Sequence, residues 1–141
     1  AKSGKINKII LDQSLDIYFN NNISKKRSYD INDFEISSFR GLSLEDGAAT
    51  IIEYTVEILA KKISSSNIIC CGGGRKNKYL IDRLEKKINS RIFNIDDFQM
   101  DGDFIESQAF AFLAIRSFLN LPLSFPMTTG CDIESTGGSI I

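Results

Sequence analysis

The sequence predicts an α/β fold that is rich in helix and carries a short, mainly parallel sheet. Three observations point there. The run Ile68-Ile69-Cys70-Cys71 reads as a buried strand that passes through Gly72-Gly73-Gly74 into a helix over residues 78–88. Arg91-Ile92-Phe93-Asn94-Ile95 is a second short strand, so two strands flank a helix as in a βαβ unit, whose strands run parallel. A length of 141 residues with 43% hydrophobic residues is one ordinary domain with enough apolar material for a core.

The remaining elements follow in chain order. Residues 4–19 place Ile6, Ile9, Ile10, Ile17 and Tyr18 at near-helical spacing and predict an amphipathic first helix. The polar stretch Asn20 to Ser28, with Lys25-Lys26-Arg27 in a row, reads as a solvated loop. Ser43 ahead of Leu44-Glu45-Asp46 is an N-cap followed by acids in the first turn, and Ile51, Ile52, Val56, Ile58, Leu59 and Ile63 predict a long amphipathic helix ending near Ser64. In the helix over 78–88, Tyr79, Leu80, Leu84 and Ile88 share one face. Asp101-Gly102-Asp103 predicts a turn and cap for a helix over 104–119. That helix is apolar almost all round, interrupted by Glu106 and Arg116, so it is expected to be central and buried. The tail over 122–138, rich in Pro, Thr, Ser and Gly, predicts irregular structure.

Charge and composition narrow the partners. A net charge of −1, from 17 basic and 18 acidic side chains, offers no basic face for nucleic acid or an anionic membrane, and a small molecule or nucleotide fits better. The chain has no His, so acid–base chemistry falls to Asp or Glu and the commonest metal ligand is missing. Cys70, Cys71 and Cys131 lack zinc spacing and read as buried reduced thiols of a cytoplasmic protein. No apolar run reaches the length of a membrane span.

The glycine turn is the leading candidate for a site. Glycines let backbone N–H groups approach a ligand without Cβ interference, and the helix behind them turns its positive end toward whatever lies over the turn. The Gly-Lys-Ser/Thr ending of a P-loop is absent. A dinucleotide fold would use Gly72, Gly74 and Asp96, the last on ribose hydroxyls, but Asn77 stands where a third glycine belongs. Glu106, in the first turn of its helix, suits either a capping role or hydrogen bonds to the hydroxyls of a polar substrate. Asp96 and Asp97 follow the second strand, where parallel sheets place ligand contacts and where exposed loop acids are equally at home.

The segment Cys71-Gly72-Gly73-Gly74-Arg75-Lys76-Asn77-Lys78-Tyr79-Leu80 followed by Asp101-Gly102-Asp103-Phe104-Ile105-Glu106-Ser107-Gln108-Ala109-Phe110 resembles the C-terminal half of anhydro-N-acetylmuramic acid kinases. Arg27-Ser28-Tyr29-Asp30, Leu44-Glu45-Asp46, Leu121-Pro122, Thr128-Thr129-Gly130 and Thr136-Gly137-Gly138 resemble the same family in the same order. The resemblance implies the C-terminal lobe, over residues 1–141, of an actin-like, sugar-kinase-type ATPase with ATP and Mg²⁺ in a cleft between two lobes. It implies a reaction that opens 1,6-anhydro-N-acetylmuramic acid with water while phosphate passes to the 6-oxygen, in peptidoglycan recycling. It places nucleotide against Gly72, Gly73, Gly74 and Asn77, and the amino sugar against Glu106. The family's phosphate loop and its catalytic aspartate have no counterpart in this sequence and are expected in an N-terminal lobe, so the resemblance assigns no catalytic base and no metal ligand here. Lys25-Lys26-Arg27-Ser28 departs from the family's Pro-Pro-Lys-Ser stretch. A non-catalytic nucleotide-binding module is the alternative, and the resemblance leaves room for a homodimer.

Overall fold

The computed structural model of the chain describes residues 1–22 and 34–138. Its elements are helices α1 (Lys8–Asn22), α2 (Leu44–Lys62), α3 (Lys78–Ile88), α4 (Ile105–Phe118) and α5 (Pro126–Thr129), with strands β1 (Ile68–Cys70) and β2 (Ile92–Asn94). Short 3-10 turns cover Ser37–Gly41, Gly73–Lys76 and Ile95–Phe98. The tripeptide strands pair in parallel, Ile68 with Ile92, Ile69 with Phe93 and Cys70 with Asn94, as the βαβ reading requires. The basic run at 25–27, Tyr29, Asp30 and the closing Ser139-Ile140-Ile141 lie outside the described residues.

Helix α2 is the centre of the molecule because it carries two apolar faces. Tyr54 and Ile58 join Leu11, Tyr18 and Phe39 in one core cluster with α1, while Val56 joins Leu84 and Ile92 in a second, with α3 and the sheet. Truncating buried Leu84 to Ala would cost about 2–5 kcal/mol through lost contacts and the cavity left behind. Ser43 caps α2 as its position predicts, its Oγ accepting the Asp46 N–H at 3.2 Å. The segment before α1 is sewn to the start of α2: Lys5 N–H donates to Asp46 Oδ1 at 2.7 Å and Asn7 N–H to Thr50 Oγ1 at 3.0 Å. Gly4 permits this approach, since a Cβ there would lie 1.9 Å from the Glu45 carbonyl oxygen.

Buried Glu53 on α2 receives both Nε and Nη2 of Arg83 from α3, at 2.9 and 2.5 Å. Both nitrogens converge on one oxygen, Oε2, and this charge-assisted pair ties one helix to the other. Arg83 is held above its ordinary pKa by this hydrogen bonding. Helix α3 ends at Asn89, which takes the left-handed conformation at φ 52°.

Several expectations need correction. In α1 the buried side is Leu11, Ser14 and Tyr18, whereas Ile9 and Ile17 are exposed. The helix is apolar on more than one side, and the i, i+3, i+7 set that faces α2 is the one covered. The glycine-turn strand is not buried throughout: Ile69 is 51% exposed, because the sheet has a covered face and a bare one. Cys71 is exposed, with Cys70 and Cys131 half-buried and all three thiols free. Burial raises the Cys70 thiol pKa.

The largest departure is α4. Its span matches the sequence reading within a residue at each end, yet none of its residues is buried. Phe110, Phe112, Ile115 and Phe118 are all more than half exposed. Its ties run to its own tail, Arg116 Nε donating to the Pro122 carbonyl at 2.7 Å and Ser117 Oγ to the Gly137 carbonyl at 2.6 Å. A two-stranded sheet supplies too little surface to bury such a helix. The tail holds α5 and a single bridge between Ser124 and Ser135. Among the described residues no helix is long and apolar enough to cross a membrane.

Candidate functional site

The parallel pairing of β1 and β2 brings the ends of both strands to one edge, the edge where α/β proteins hold ligands. The chain leaves β1 through Gly72, whose φ of 70° and ψ of −173° lie in a region open essentially only to glycine. Gly73–Lys76 then makes one 3-10 turn before Asn77 starts α3. The helix begins at Lys78, as the sequence reading has it, with Arg75, Lys76 and Asn77 between it and the glycines. Asn77 caps α3, its Oδ1 accepting the Leu80 N–H at 3.2 Å.

Arg75 fixes the turn from beneath, and its role was not visible in the linear reading. Its side chain is 4% exposed. Nε donates to Asp96 Oδ2 at 2.8 Å, and Nη1 donates to the Gly72 carbonyl at 2.9 Å and to Asp103 Oδ1 at 2.8 Å. The backbone closes the knot: Gly102 N–H donates to Asp96 Oδ1 at 2.8 Å, and Gly72 N–H donates to the Gly102 carbonyl at 3.1 Å. Gly102 is buried against this guanidinium, and a Cβ there would sit 2.4 Å from Arg75 Nε and 2.7 Å from Ile95 Cγ2. Asp103 also receives Lys76 Nζ at 2.7 Å. A sequence signal did exist: Arg75 and Asp96 follow adjacent strands of a parallel pair, so their opposite charges had to meet at one end of the sheet.

These contacts set the electrostatics. Hydrogen bonds from Arg75 and then Lys76 hold the Asp103 carboxyl at a pKa of about 2. The Arg75 guanidinium, followed by the Gly102 N–H, lowers that of Asp96. Arg75 itself is raised, chiefly by its bonds to Asp103 and Asp96. Two cations and two anions cancel within the knot, so the turn presents backbone groups and little net charge.

That backbone is available. Among the described residues the N–H groups of Gly73 and Gly74 donate to no protein atom, and a Cβ added at Gly72, Gly73 or Gly74 would meet nothing within 4 Å. Behind the turn lies an apolar cavity of about 170 Å³, lined by Ile68, Cys70, Gly74, Leu80 and Leu84 among others. A larger cavity of about 350 Å³ sits at the far end of α2, between Phe39 and Ile51, away from this edge.

The other candidate residues divide. Asp96 accepts from Arg75 at one carboxylate oxygen and from the Gly102 N–H at the other, so it serves the knot, with its side chain 43% exposed. Asp103 does not cap α4, because its carboxylate is committed to Arg75 and Lys76; Phe104 is the N-cap residue and its side chain makes no capping bond. Asp97 is exposed. Glu106 is exposed in the first turn of α4, three residues beyond the Asp103 anchor, with no ion pair among the described residues. The structure thus gathers Gly72, Gly73, Gly74 and Asn77 at one edge and starts the helix bearing Glu106 from the same knot.

Fold and turn together define a helix-rich α/β protein with an open backbone turn at the ends of two parallel strands. The profile of the anhydro-N-acetylmuramic acid kinase family matches residues 1–141, and the chain belongs to that family. It is 44% identical to the anhydro-N-acetylmuramic acid kinase of Pelagibacter ubique over 98% of its own length and 40% of the relative's. With the kinase of the same name from Zymomonas mobilis it shares 37% identity over 99% of the chain and 40% of the relative. For that of Caulobacter vibrioides the identity is 36% over 100% of the chain and 39% of the relative. The chain therefore spans about 40% of the length of these relatives.

Proposed function

We propose that this chain is the C-terminal lobe of an actin-like kinase that uses ATP and water to convert 1,6-anhydro-N-acetylmuramic acid to N-acetylmuramic acid 6-phosphate, as part of peptidoglycan recycling in the cytoplasm. The observation that carries the reading is the open glycine turn, where the Gly73 and Gly74 N–H groups face no protein acceptor in a chain that belongs to this kinase family. Gly72, Gly73 and Gly74 form the nucleotide wall, with Asn77 holding the following helix in place. Glu106 accepts hydrogen bonds from hydroxyls of the amino sugar. Phosphoryl transfer rests on positioning, a metal ion and charge stabilisation about the γ-phosphate. Mg²⁺ would enter on the triphosphate, with the other lobe completing its coordination.

A second reading is a nucleotide-binding module without catalysis of its own, for which the open Gly73 and Gly74 N–H groups suffice. One experiment separates the two. The 141-residue chain alone, given Mg²⁺-ATP and the anhydro sugar, is expected to give no phosphorylated product. Joined to the part of the Pelagibacter kinase that it does not match, it is expected to turn over, and Glu106→Gln in that protein should raise KM for the sugar about tenfold, the loss of one charge-assisted hydrogen bond. Turnover by the chain alone, or a joined protein that binds ATP and never acts on the sugar, would overturn the kinase reading.

A further inference from the structure

We propose that Arg75 is a positioning residue for the nucleotide: its side-chain bond to the Gly72 carbonyl locks the Gly72–Gly73 peptide in one orientation, so that the Gly73 N–H points away from the guanidinium and out toward the ligand. The proposal deepens the nucleotide-wall reading and rests on it for the identity of the ligand, though not for the lock itself.

The carbonyl of Gly72 and the N–H of Gly73 belong to one planar trans peptide unit, in which C=O and N–H point in opposite directions. Whatever fixes one end therefore aims the other. The Gly72 carbonyl accepts twice from Arg75, from its backbone N–H at 3.3 Å and from Nη1 at 2.9 Å. The backbone contact is long for an N–H···O bond, whereas the Nη1 contact is of ordinary length and charge-assisted, so the side chain is the stronger hold. At the other end of the unit, the Gly73 N–H has no protein acceptor among the described residues. The positive charge on the carbonyl also polarises the peptide and makes that N–H a better donor.

A lock is needed because glycine stands on both sides of this peptide. Turning the unit over by about 180° changes ψ of Gly72 and φ of Gly73 alone, and it carries Gly72 from φ 70° and ψ −173° into the left-handed region that glycine enters freely. The reversed unit would point the Gly73 N–H at the guanidinium, where it has nothing to bond. The preceding peptide is already fixed, since the Gly72 N–H donates to the Gly102 carbonyl at 3.1 Å. The guanidinium is itself immobilised: its side chain is 4% exposed, Nε bonds Asp96 Oδ2 and Nη1 bonds Asp103 Oδ1, each at 2.8 Å. A planar fork meets these acceptors at fixed angles, and an ammonium lacks that fork. Arg75→Lys therefore keeps the charge and loses the aim.

The test is NMR on the isotopically labelled chain as wild type, Arg75→Gln and Arg75→Lys. The wild type should show a coupling across the hydrogen bond from Arg75 Nη1 to the Gly72 carbonyl carbon, and a Gly73 amide free of microsecond-to-millisecond exchange. Both variants should bring that exchange to the Gly73 amide and weaken Mg²⁺-ATP binding, followed at the Gly73 and Gly74 amides, about tenfold for the loss of one charge-assisted bond. Arg83→Met, which strands Glu53 at the α2–α3 interface, should leave both readouts as in the wild type. Absence of the coupling in the wild type, a measurement that requires no variant to fold, would overturn the proposal. So would an equal loss of affinity in Arg83→Met, since that assigns the effect to stability. Exchange that arises only on replacing Arg75, with no ATP shift at the turn even in the wild type, supports the lock and removes the nucleotide reading. ATP bound at the turn equally well in all four proteins, with a quiet Gly73 amide throughout, does the reverse.

Discussion

Arg75 Nε donates to Asp96 Oδ2 at 2.8 Å across 21 residues of sequence, tying the turn after β1 to the turn after β2. The same guanidinium makes two further bonds, to the Gly72 carbonyl and to Asp103, so it joins the glycine turn to both acids. Because the guanidinium is buried and bonds all three through Nε and Nη1, its partners cannot shift independently.

Gly102→Ala is the smallest change that should break this arrangement. The new methyl would enter within 3 Å of both Arg75 and Ile95. Arg75 is pinned by three hydrogen bonds and cannot swing aside without losing them. The expected cost is about 1–3 kcal/mol, the usual range for overpacking, read from urea denaturation. Ala at position 73, where a Cβ meets nothing, is the control and should be close to neutral.

Acid should loosen the same knot through Asp103. Its carboxyl is held at about 2 in the folded protein, against the ordinary aspartate value of about 3.9, so its contribution is present in full above about pH 4. That contribution fades as pH falls toward 2, when the carboxylate takes up a proton and loses Arg75 and Lys76. Asp103→Asn should flatten the pH dependence of stability in that window and leave the slope above pH 5 unchanged. An identical acid transition in wild type and variant would show that the pairing carries no weight.

The Glu53–Arg83 pair should matter for the α2–α3 interface and not for the glycine turn. Arg83→Met strands a carboxylate that is almost fully buried, at an expected cost of about 1–3 kcal/mol, less than for a wholly enclosed pair because Arg83 is 35% exposed. Glu53→Leu combined with Arg83→Met should recover much of that loss. A double variant no better than the single one would argue against stranded charge as the cause.

Much of the fold was legible in the sequence for local reasons. Ser43, Asn77 and the run from Lys78 to Ile88 carry capping and periodicity signals that act within a few residues, and helix and cap fall where those signals put them. The parallel sense of β1 and β2 followed from the helix between them. Two things were not local. The burial of α4 was read from its composition, but burial depends on what surrounds a helix, and the described residues supply only a tail. Asp96 and Asp103 were read as ligand groups or caps because their partner, Arg75, stands 21 and 28 residues away and only the register of the sheet brings it to them.

The proposed role of the Gly72-Gly73-Gly74 turn as a nucleotide wall is open to direct test, because backbone amide resonances report on that turn. Titrating Mg²⁺-ATP into the isotopically labelled chain should move the Gly73 and Gly74 amides first, with an affinity on the order of 1 mM for half a cleft. Gly73→Val, which the open space around Gly73 allows the fold to accept, should abolish those shifts while leaving the α2 core resonances in place. Shifts that instead gather at the cavity between Phe39 and Ile51, or that survive Gly73→Val unchanged, would contradict it.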